Sequence, residues 1–385
     1  MASHRVYSFA KYLPLHGIHV DVLTPRRPGN LEYDISDMSI LYSHDDPSTY
    51  NVFNRKSGVL KKIVRHAGAR PVYHYLTSRL YRETVRTFDR SRYREYDAIL
   101  ASFGPEGVLR LARFLSRKLN LPLILDYRDL WYDHPFYPTT PCDDLMIRCI
   151  EGRIIRGACL VTTVSEGLAG TLRKRYGCNP SVVYNGYFDD DVQDSQPRER
   201  SDVPENGLRI GYFGSLYGGQ RPIQMIFPLM AERENLQLIT ALFDEVDCRI
   251  VSRLAKQWNV EDRVEIHRGL RNDEAMSLQS GCDILLFLNK IDGSAKGILS
   301  GKLFEYMAAR TFVLGIGHRN DEAARIIEEC RLGIFLDDEA SLPSVFDCYH
   351  DWEGPDETGI QRYTRARQAK RLATMIKERL SLSSG

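Results

Sequence analysis

The sequence lacks a Cys-x-x-Cys pair, a histidine pair at metal-binding spacing, and a Gly-x-Gly-x-x-Gly behind any strand-like run. The first two absences argue against a zinc or redox site, and the third against a dinucleotide dehydrogenase. No run of ~18 apolar residues exists to span a membrane. The N-terminal segment carries Lys11 and Pro14 and has no long apolar stretch, so no signal peptide is expected. Charge of one sign is also lacking: 52 Lys and Arg face 51 Asp and Glu, a net charge of +1. That balance excludes a chain built throughout for nucleic acid. Low-complexity tracts and solenoid-period repeats are missing too. What is there is globular: 385 residues, 43% hydrophobic and 27% charged, the length of two domains. Eight scattered cysteines (142, 149, 159, 178, 248, 282, 330, 348) read as reduced thiols of a cytoplasmic protein.

Short apolar runs alternate with longer amphipathic ones, the pattern of an α/β protein with parallel sheets. The strand-like runs of the first half are Ile18–Thr24, Asp97–Ala101, Leu121–Asp126, Cys159–Val164 and Ser181–Tyr184. Helices are expected over 3–16, Glu106–Asn120 and Glu166–Tyr176. The second half offers Leu208–Phe213, Leu236–Leu242, Val264–His267, Asp283–Leu288, Thr311–Ile316 and Gly333–Leu336. Polar, turn-rich residues 186–207 separate the halves as a linker. The division is therefore a first domain over 1–185 and a second over 208–350. A helix over 355–380 is expected to pack back toward the first domain. The economical architecture is two doubly wound, Rossmann-type domains facing across a crevice. The opening of a doubly wound domain, a strand and a glycine-rich turn, is not found before the first helix, so the first strand reads as missing.

The stretch Arg55–Glu95 carries twelve Lys and Arg against three acids. Within it Val59, Leu60, Ile63 and Val64 share one helix face, and Lys61, Lys62, Arg65 and His66 the other. Tyr73, Tyr75 and Tyr81 add interfacial aromatics. This composition suits an anionic membrane surface, and a solvated face over a core helix is the alternative. No nucleic-acid recognition motif accompanies the charge.

Ligands of doubly wound domains sit beyond the C-terminal strand ends. Strand Leu208–Phe213 runs into Gly214-Ser215-Leu216-Tyr217-Gly218-Gly219-Gln220-Arg221, whose glycines would leave amides open to an anion beside the Arg221 charge. A plain strand-to-helix turn is the alternative. Strand Asp283–Leu288 leads to residues 293–302, Gly297, Ser300, Gly301 and Lys302 among them, and then to helix Leu303–Ala309. Ser300 is the expected N-cap, and Glu305, one turn in, is placed to accept ribose hydroxyls. As an alternative, Glu305 only complements the helix dipole. In the first half, Asp126-Tyr127-Arg128-Asp129-Leu130-Trp131 gathers two carboxylates, a guanidinium and an indole, a polar pocket for a sugar, with Ser102 on the same rim. Arg128–Asp129 as a structural ion pair is the alternative.

These residues together resemble the GT-B glycosyltransferases, specifically the retaining family 4 or group 1 type, including members of bacterial surface-polysaccharide assembly. The resemblance is carried by Phe9-Ala10-Lys11-Tyr12-Leu13 with His16-Gly17-Ile18, by Asp126–Trp131, by Thr162-Thr163-Val164-Ser165-Glu166, and by Asn185-Gly186. Gly214-Ser215-Leu216-Tyr217 and Ser300-Gly301-Lys302-Leu303-Phe304-Glu305-Tyr306-Met307-Ala308 carry it in the donor half, the latter most specifically. It implies transfer of a sugar from a UDP- or GDP-sugar to a hydroxyl of a glycan or lipid-linked acceptor, with retention, and with neither metal nor cofactor. Glu305 would bind the ribose, Arg221 and Lys302 the diphosphate, and Ser300 and Gly301 its oxygens. Arg128, with Asp129 beside it, would lie near the donor sugar, and Ser102, Asp126 and Trp131 on the acceptor side. Gly297 stands where the family's first glutamate is usual, and Ser215 where an arginine is. Two rivals follow: a relative that binds donor without transferring, and a sugar-nucleotide epimerase. The basic stretch implies a peripheral position on the cytoplasmic membrane face.

Overall fold

The computed structural model describes residues 2–24, 35–42, 78–104, 106–131, 141–190, 207–293 and 297–383. The chain divides into two compact units, Met1–Tyr184 with Ala369–Gly385, and Asn185–Gln368.

In the first unit, β1 (Asp21–Thr24) pairs in parallel with β2 (Ser39–Tyr42). Strand β2 has no counterpart in the sequence reading, because four residues with one β-branched side chain carry too little pattern. The larger sheet runs β3 (Ile99–Ser102), β4 (Leu123–Tyr127), β5 (Leu160–Thr163) and β6 (Ser181–Val182), all parallel. Every residue of β4 is buried, as expected of a central strand covered on both faces. Ser165 caps helix Glu166–Tyr176 by accepting from Leu168 N, and Gly177 closes it in a left-handed turn. The expected helix over 3–16 stops at Tyr12, and Pro14 opens a separate 3₁₀ turn.

Two polar clusters lie inside this unit. One surrounds Asp126 and is described below. In the other, Tyr176 Oη donates to the buried Glu151 carboxylate, and Arg175 Nε donates to Tyr176 Oη at 3.0 Å. Burial pushes the Glu151 carboxyl up to about 7, against the opposing pull of the Tyr176 hydrogen bond and the Arg175 charge. A carboxyl raised in the folded state binds its proton more tightly there than in the unfolded chain. Its stabilising contribution is complete below pH ~4.5 and declines as pH rises towards ~7. Thermal unfolding of wild type and Glu151→Gln is therefore expected to diverge between those values, the variant gaining as pH rises. Parallel melting temperatures across that window would refute the assignment.

The second unit is one six-stranded parallel sheet, ordered β12-β11-β10-β7-β8-β9. Its strands are β7 (Leu208–Phe213), β8 (Leu236–Leu242), β9 (Val264–Arg268), β10 (Ile284–Leu288), β11 (Phe312–Ile316) and β12 (Gly333–Leu336). Strand order reverses between β7 and β10, so the ligand-binding crevice of a doubly wound sheet opens there. Strands β10 and β11 are wholly buried, and a core including Ile210, Phe227, Leu238, Leu286 and Leu314 fills the interior.

The helix expected over 355–380 is in fact two, Glu357–Gln361 and Arg365–Ser383. The break has a backbone cause. Tyr187 donates to Tyr363 O, and its carbonyl accepts from Arg365 N at 2.9 Å, so these groups are withdrawn from a continuous helix. All eight cysteines carry free thiols. Among the described residues no helix is long and apolar enough to cross a membrane.

Candidate functional site

The switch point between β7 and β10 is held by one side chain. These strands pair only at Ile284–Ile210 and Leu285–Gly211. Beyond those pairs the hydroxyl of Tyr306 fills the gap, accepting from Phe213 N at 3.3 Å and donating to Leu286 O at 3.3 Å. Tyr306 belongs to helix Lys302–Ala309, so this bridge seats the helix N-terminus at the C-terminal end of β10. The first turn carries Lys302 and Glu305, and Lys302 Nζ donates to Glu305 Oε2 at 2.7 Å. Both side chains are 18% exposed, enough to reach a ligand while remaining only partly hydrated. Methylenes of Lys302 lie beside Gly214, where an added Cβ would stand 3.9 Å from them. The end of β7 and the start of this helix thus meet at one point.

Ser300, the expected N-cap, does not cap the helix; Gly301 holds that position with no side-chain bond. Ser300 Oγ instead accepts from Lys302 N at 3.3 Å. Gly297 has φ +88°, a backbone conformation that a side chain strains, which explains glycine at a position where a glutamate was the alternative.

The loop after β7 departs from the expected cradle of open amides. Leu216 N donates to Asp247 Oδ2 at 2.5 Å, Gly218 N to Asp247 Oδ1 at 2.9 Å, and Ser215 Oγ to Asp247 Oδ2 at 3.0 Å. Tyr217 N donates to Ser215 Oγ, while Gly219 N and Arg221 N both donate to Leu216 O. The turn needs left-handed backbone at Tyr217, Gly218 and Gly219 in succession (φ +51°, +69° and +85°), which two glycines make affordable. Asp247 was invisible in the sequence, where an acid in the first turn of a helix looks like an ordinary complement to the dipole. Arg221 is only 7% exposed, lies over the Tyr217 ring and donates to Tyr212 Oη. It sits beneath the loop, while Lys302 sits at its rim.

The polar residues of the first unit assemble differently from an open sugar pocket. Asp126 is fully buried and receives Arg5 through two bonds, Nε to Oδ2 at 2.8 Å and Nη2 to Oδ1 at 2.6 Å. Ser102 and Thr162 donate to the same carboxylate at 3.0 and 2.8 Å. Arg5 also donates to Val183 O and Tyr184 O. Burial alone would raise the Asp126 carboxyl, but the charge and hydrogen bonds of Arg5 bring it below the usual carboxylate value. Asp126 and Ser102 thus knit the interior, and Trp131, 4% exposed, packs in the core near Phe103. Arg128 is half-buried and donates to the carbonyls of Phe103 and Gly104. It holds the turn after β3; Asp129, on the same strand-end loop, is the more exposed neighbour of β4.

Of the basic stretch, residues 55–77 lie outside the described residues, Lys61, Lys62 and Arg65 included. Helix Arg79–Arg86 and the turn Arg90–Tyr93 are described, and there Phe88 stacks on Tyr93 with centroids 5.7 Å apart.

With this geometry in hand, comparison with known proteins is informative. Residues 2–190 match the family described as Glycosyltransferase Family 4. The fold is similar to that of sucrose-phosphate synthase from Thermosynechococcus elongatus, with a TM-score of 0.68 at 15% identity over 98% of this chain and 93% of that one. It is similar to Anabaena HepE, solved with UDP and glucose, with a TM-score of 0.67 at 15% identity over 98% and 96%. It is also similar to WaaG, a glycosyltransferase involved in lipopolysaccharide biosynthesis, with a TM-score of 0.56 at 14% identity over 97% and 91%. No curated protein sequence matches the chain.

Proposed function

Taking as premise that this chain is a GT-B glycosyltransferase of the group 1 type, matched over residues 2–190 by Glycosyltransferase Family 4, we propose that its donor is a nucleoside diphosphate sugar held by the second unit. The observation that carries this reading is the Lys302–Glu305 pair at the helix N-terminus beside Gly214. A cation and a carboxylate one turn apart, at the point where strand order reverses, match the two ends of such a donor. The ammonium would offset charge on the diphosphate, and the carboxylate would accept ribose hydroxyls. HepE, similar in fold, is described with UDP and glucose, which favours a UDP-sugar over a GDP-sugar.

In the reaction, the bond from the anomeric carbon to the diphosphate oxygen breaks, an acceptor hydroxyl oxygen bonds to that carbon, and the hydroxyl's proton leaves with the diphosphate. Charge grows on the departing diphosphate, so fixed positive groups stabilise the transition state more than the ground state. Lys302 and the dipole of its helix would supply that stabilisation, so the donor is a substrate and no cofactor enters the proposal. Retention at the anomeric carbon rests on the family resemblance. Arg128 and Asp129, on the loop after β4, remain proposed sugar-binding groups of the first unit.

Calorimetric titration with UDP, GDP and ADP tests the site. One nucleoside diphosphate is expected to bind saturably, and Glu305→Ala to weaken it ~10–100-fold, since each hydrogen bond to a charged group contributes about 1.5–3 kcal/mol. Full affinity in Glu305→Ala would disprove the ribose role.

The proposed acceptor is a glycan or lipid-linked hydroxyl at an anionic membrane surface, as the charge of Arg55–Glu95 suggests. Neutralising Lys61, Lys62 and Arg65 together is expected to abolish co-sedimentation with anionic vesicles at low salt. Unchanged sedimentation would remove the membrane from the proposal.

A further inference from the structure

A carboxylate with no solvent exposure, receiving three hydrogen bonds from one loop, is an expensive arrangement unless the shape of that loop matters. Asp247 is such a group. It stands in the first turn of helix Glu245–Gln257, where Asp244 caps the helix by accepting from Asp247 N at 2.9 Å. Both of its oxygens point to the loop after β7: Oδ2 takes Leu216 N and Ser215 Oγ, and Oδ1 takes Gly218 N. The Ser215 carbonyl is fixed separately by Tyr212 Oη at 2.7 Å, and Gly214 N by Ala241 O at 2.9 Å. Six consecutive residues, 214–219, thereby have their peptide orientations set from outside the loop or by its own turn.

An inventory of the loop's donors shows what this arrangement leaves over. The amides of residues 214, 216, 217, 218, 219 and 221 are all bonded within the protein. Among the described residues no partner takes the amide of Ser215 or Gln220. Gln220 is on the exposed far turn, whereas Ser215 directly follows Gly214, the residue against which Lys302 packs. A backbone N–H without a partner among the described residues thus lies one residue from the glycine that the Lys302 methylenes approach.

We propose that Asp247 is a positioning residue for the donor's terminal phosphate: by drawing in the amides on either side of Tyr217, it holds the loop in the shape that leaves Ser215 N–H beside Lys302. The inference rests on the donor-site reading above and deepens it. Asp247 touches no substrate in this scheme, and its negative charge is offset by the three donors that enclose it. The group it positions would contact the β-phosphate, whereas the nucleoside is held from the Glu305 side. A nucleoside diphosphate therefore depends on Asp247, and the corresponding monophosphate does not.

Asp247→Asn keeps the shape but presents an amide N–H₂ to a site furnished with donors, so one end of the loop must let go. In paired titrations, this variant is expected to bind the nucleoside diphosphate at least tenfold more weakly and the monophosphate within twofold of wild type. Glu305→Ala, by contrast, is expected to weaken both ligands. Ser215→Ala, which keeps the buried carboxylate and two of its three donors while removing the acceptor of Tyr217 N, should weaken the diphosphate in the same direction by a smaller factor. That variant decides the matter if Asp247→Asn does not fold. Equal losses for both ligands would mean that Asp247 merely supports the fold, and unchanged diphosphate affinity in both variants would mean that the loop's shape is irrelevant; either result overturns the inference. If wild type binds while Glu305→Ala does not, the donor reading stands whatever the fate of Asp247. A folded wild type that binds no nucleoside diphosphate takes both down.

Discussion

Arg5→Ala is expected to cost the protein about 3–5 kcal/mol of stability, because removing one member of a buried ion pair strands the other charge. The side chains of Arg5 and Asp126 are 2% and 0% exposed, so water cannot replace the lost guanidinium. The same substitution also removes donors from Val183 O and Tyr184 O. Urea unfolding followed by circular dichroism would read the loss, and a change under ~1 kcal/mol would contradict it. The pair itself need not be net stabilising. Arg5→Met combined with Asp126→Leu is expected to recover much of the deficit, since well-packed apolar replacements of buried pairs are often tolerated. The pH dependence has the opposite sign to that of Glu151. The Asp126 carboxyl is lowered in the folded state, so its contribution is complete above ~3.8 and is lost as pH falls through the folded value.

The second large effect is on turnover. Lys302→Ala is expected to lower kcat about 10²–10³-fold, the scale measured when one preorganised donor to a developing anion is removed. The nucleoside's affinity should change far less, because in the proposed reaction the ammonium would act where charge grows. Lys302→Arg should restore part of the rate, incompletely, since a guanidinium is broader than an ammonium and the side chain already passes close to Gly214, where an added Cβ would stand 3.9 Å from the Lys302 methylenes. Steady-state kinetics with the donor identified by titration would measure this, and a rate within threefold of wild type in Lys302→Ala would assign the charge to another group.

Much of the second unit was legible beforehand. Strands Leu208–Phe213, Leu236–Leu242 and Gly333–Leu336 are short, mostly apolar runs bounded by turn residues, and the observed strands coincide with them. The Lys302–Glu305 pairing was accessible too, because three-residue spacing on a helix brings side chains together. What sequence could not reveal depends on distance along the chain. Asp247 meets the loop after β7 from about thirty residues away, and Arg5 meets Asp126 across 121. Nothing local marks either pairing. Asp126 and Trp131 looked like pocket residues because polar and aromatic side chains gathered in one short segment. Asp126 lies on β4, which is buried on both faces, and Trp131 on the loop beyond it, and a distant arginine and a neighbouring phenylalanine enclose them.

The division of the chain has a consequence for its manufacture. The second unit is an uninterrupted stretch, Asn185–Gln368, while the first draws on segments on either side of it, Met1–Tyr184 and Ala369–Gly385. A ribosome therefore delivers every residue of the second unit before it delivers the last seventeen of the first. Arg5 must wait for residue 184 before both its carbonyl partners exist. The unit that comes first in the sequence is the one completed last, and for most of synthesis its buried charges are held by a partial scaffold.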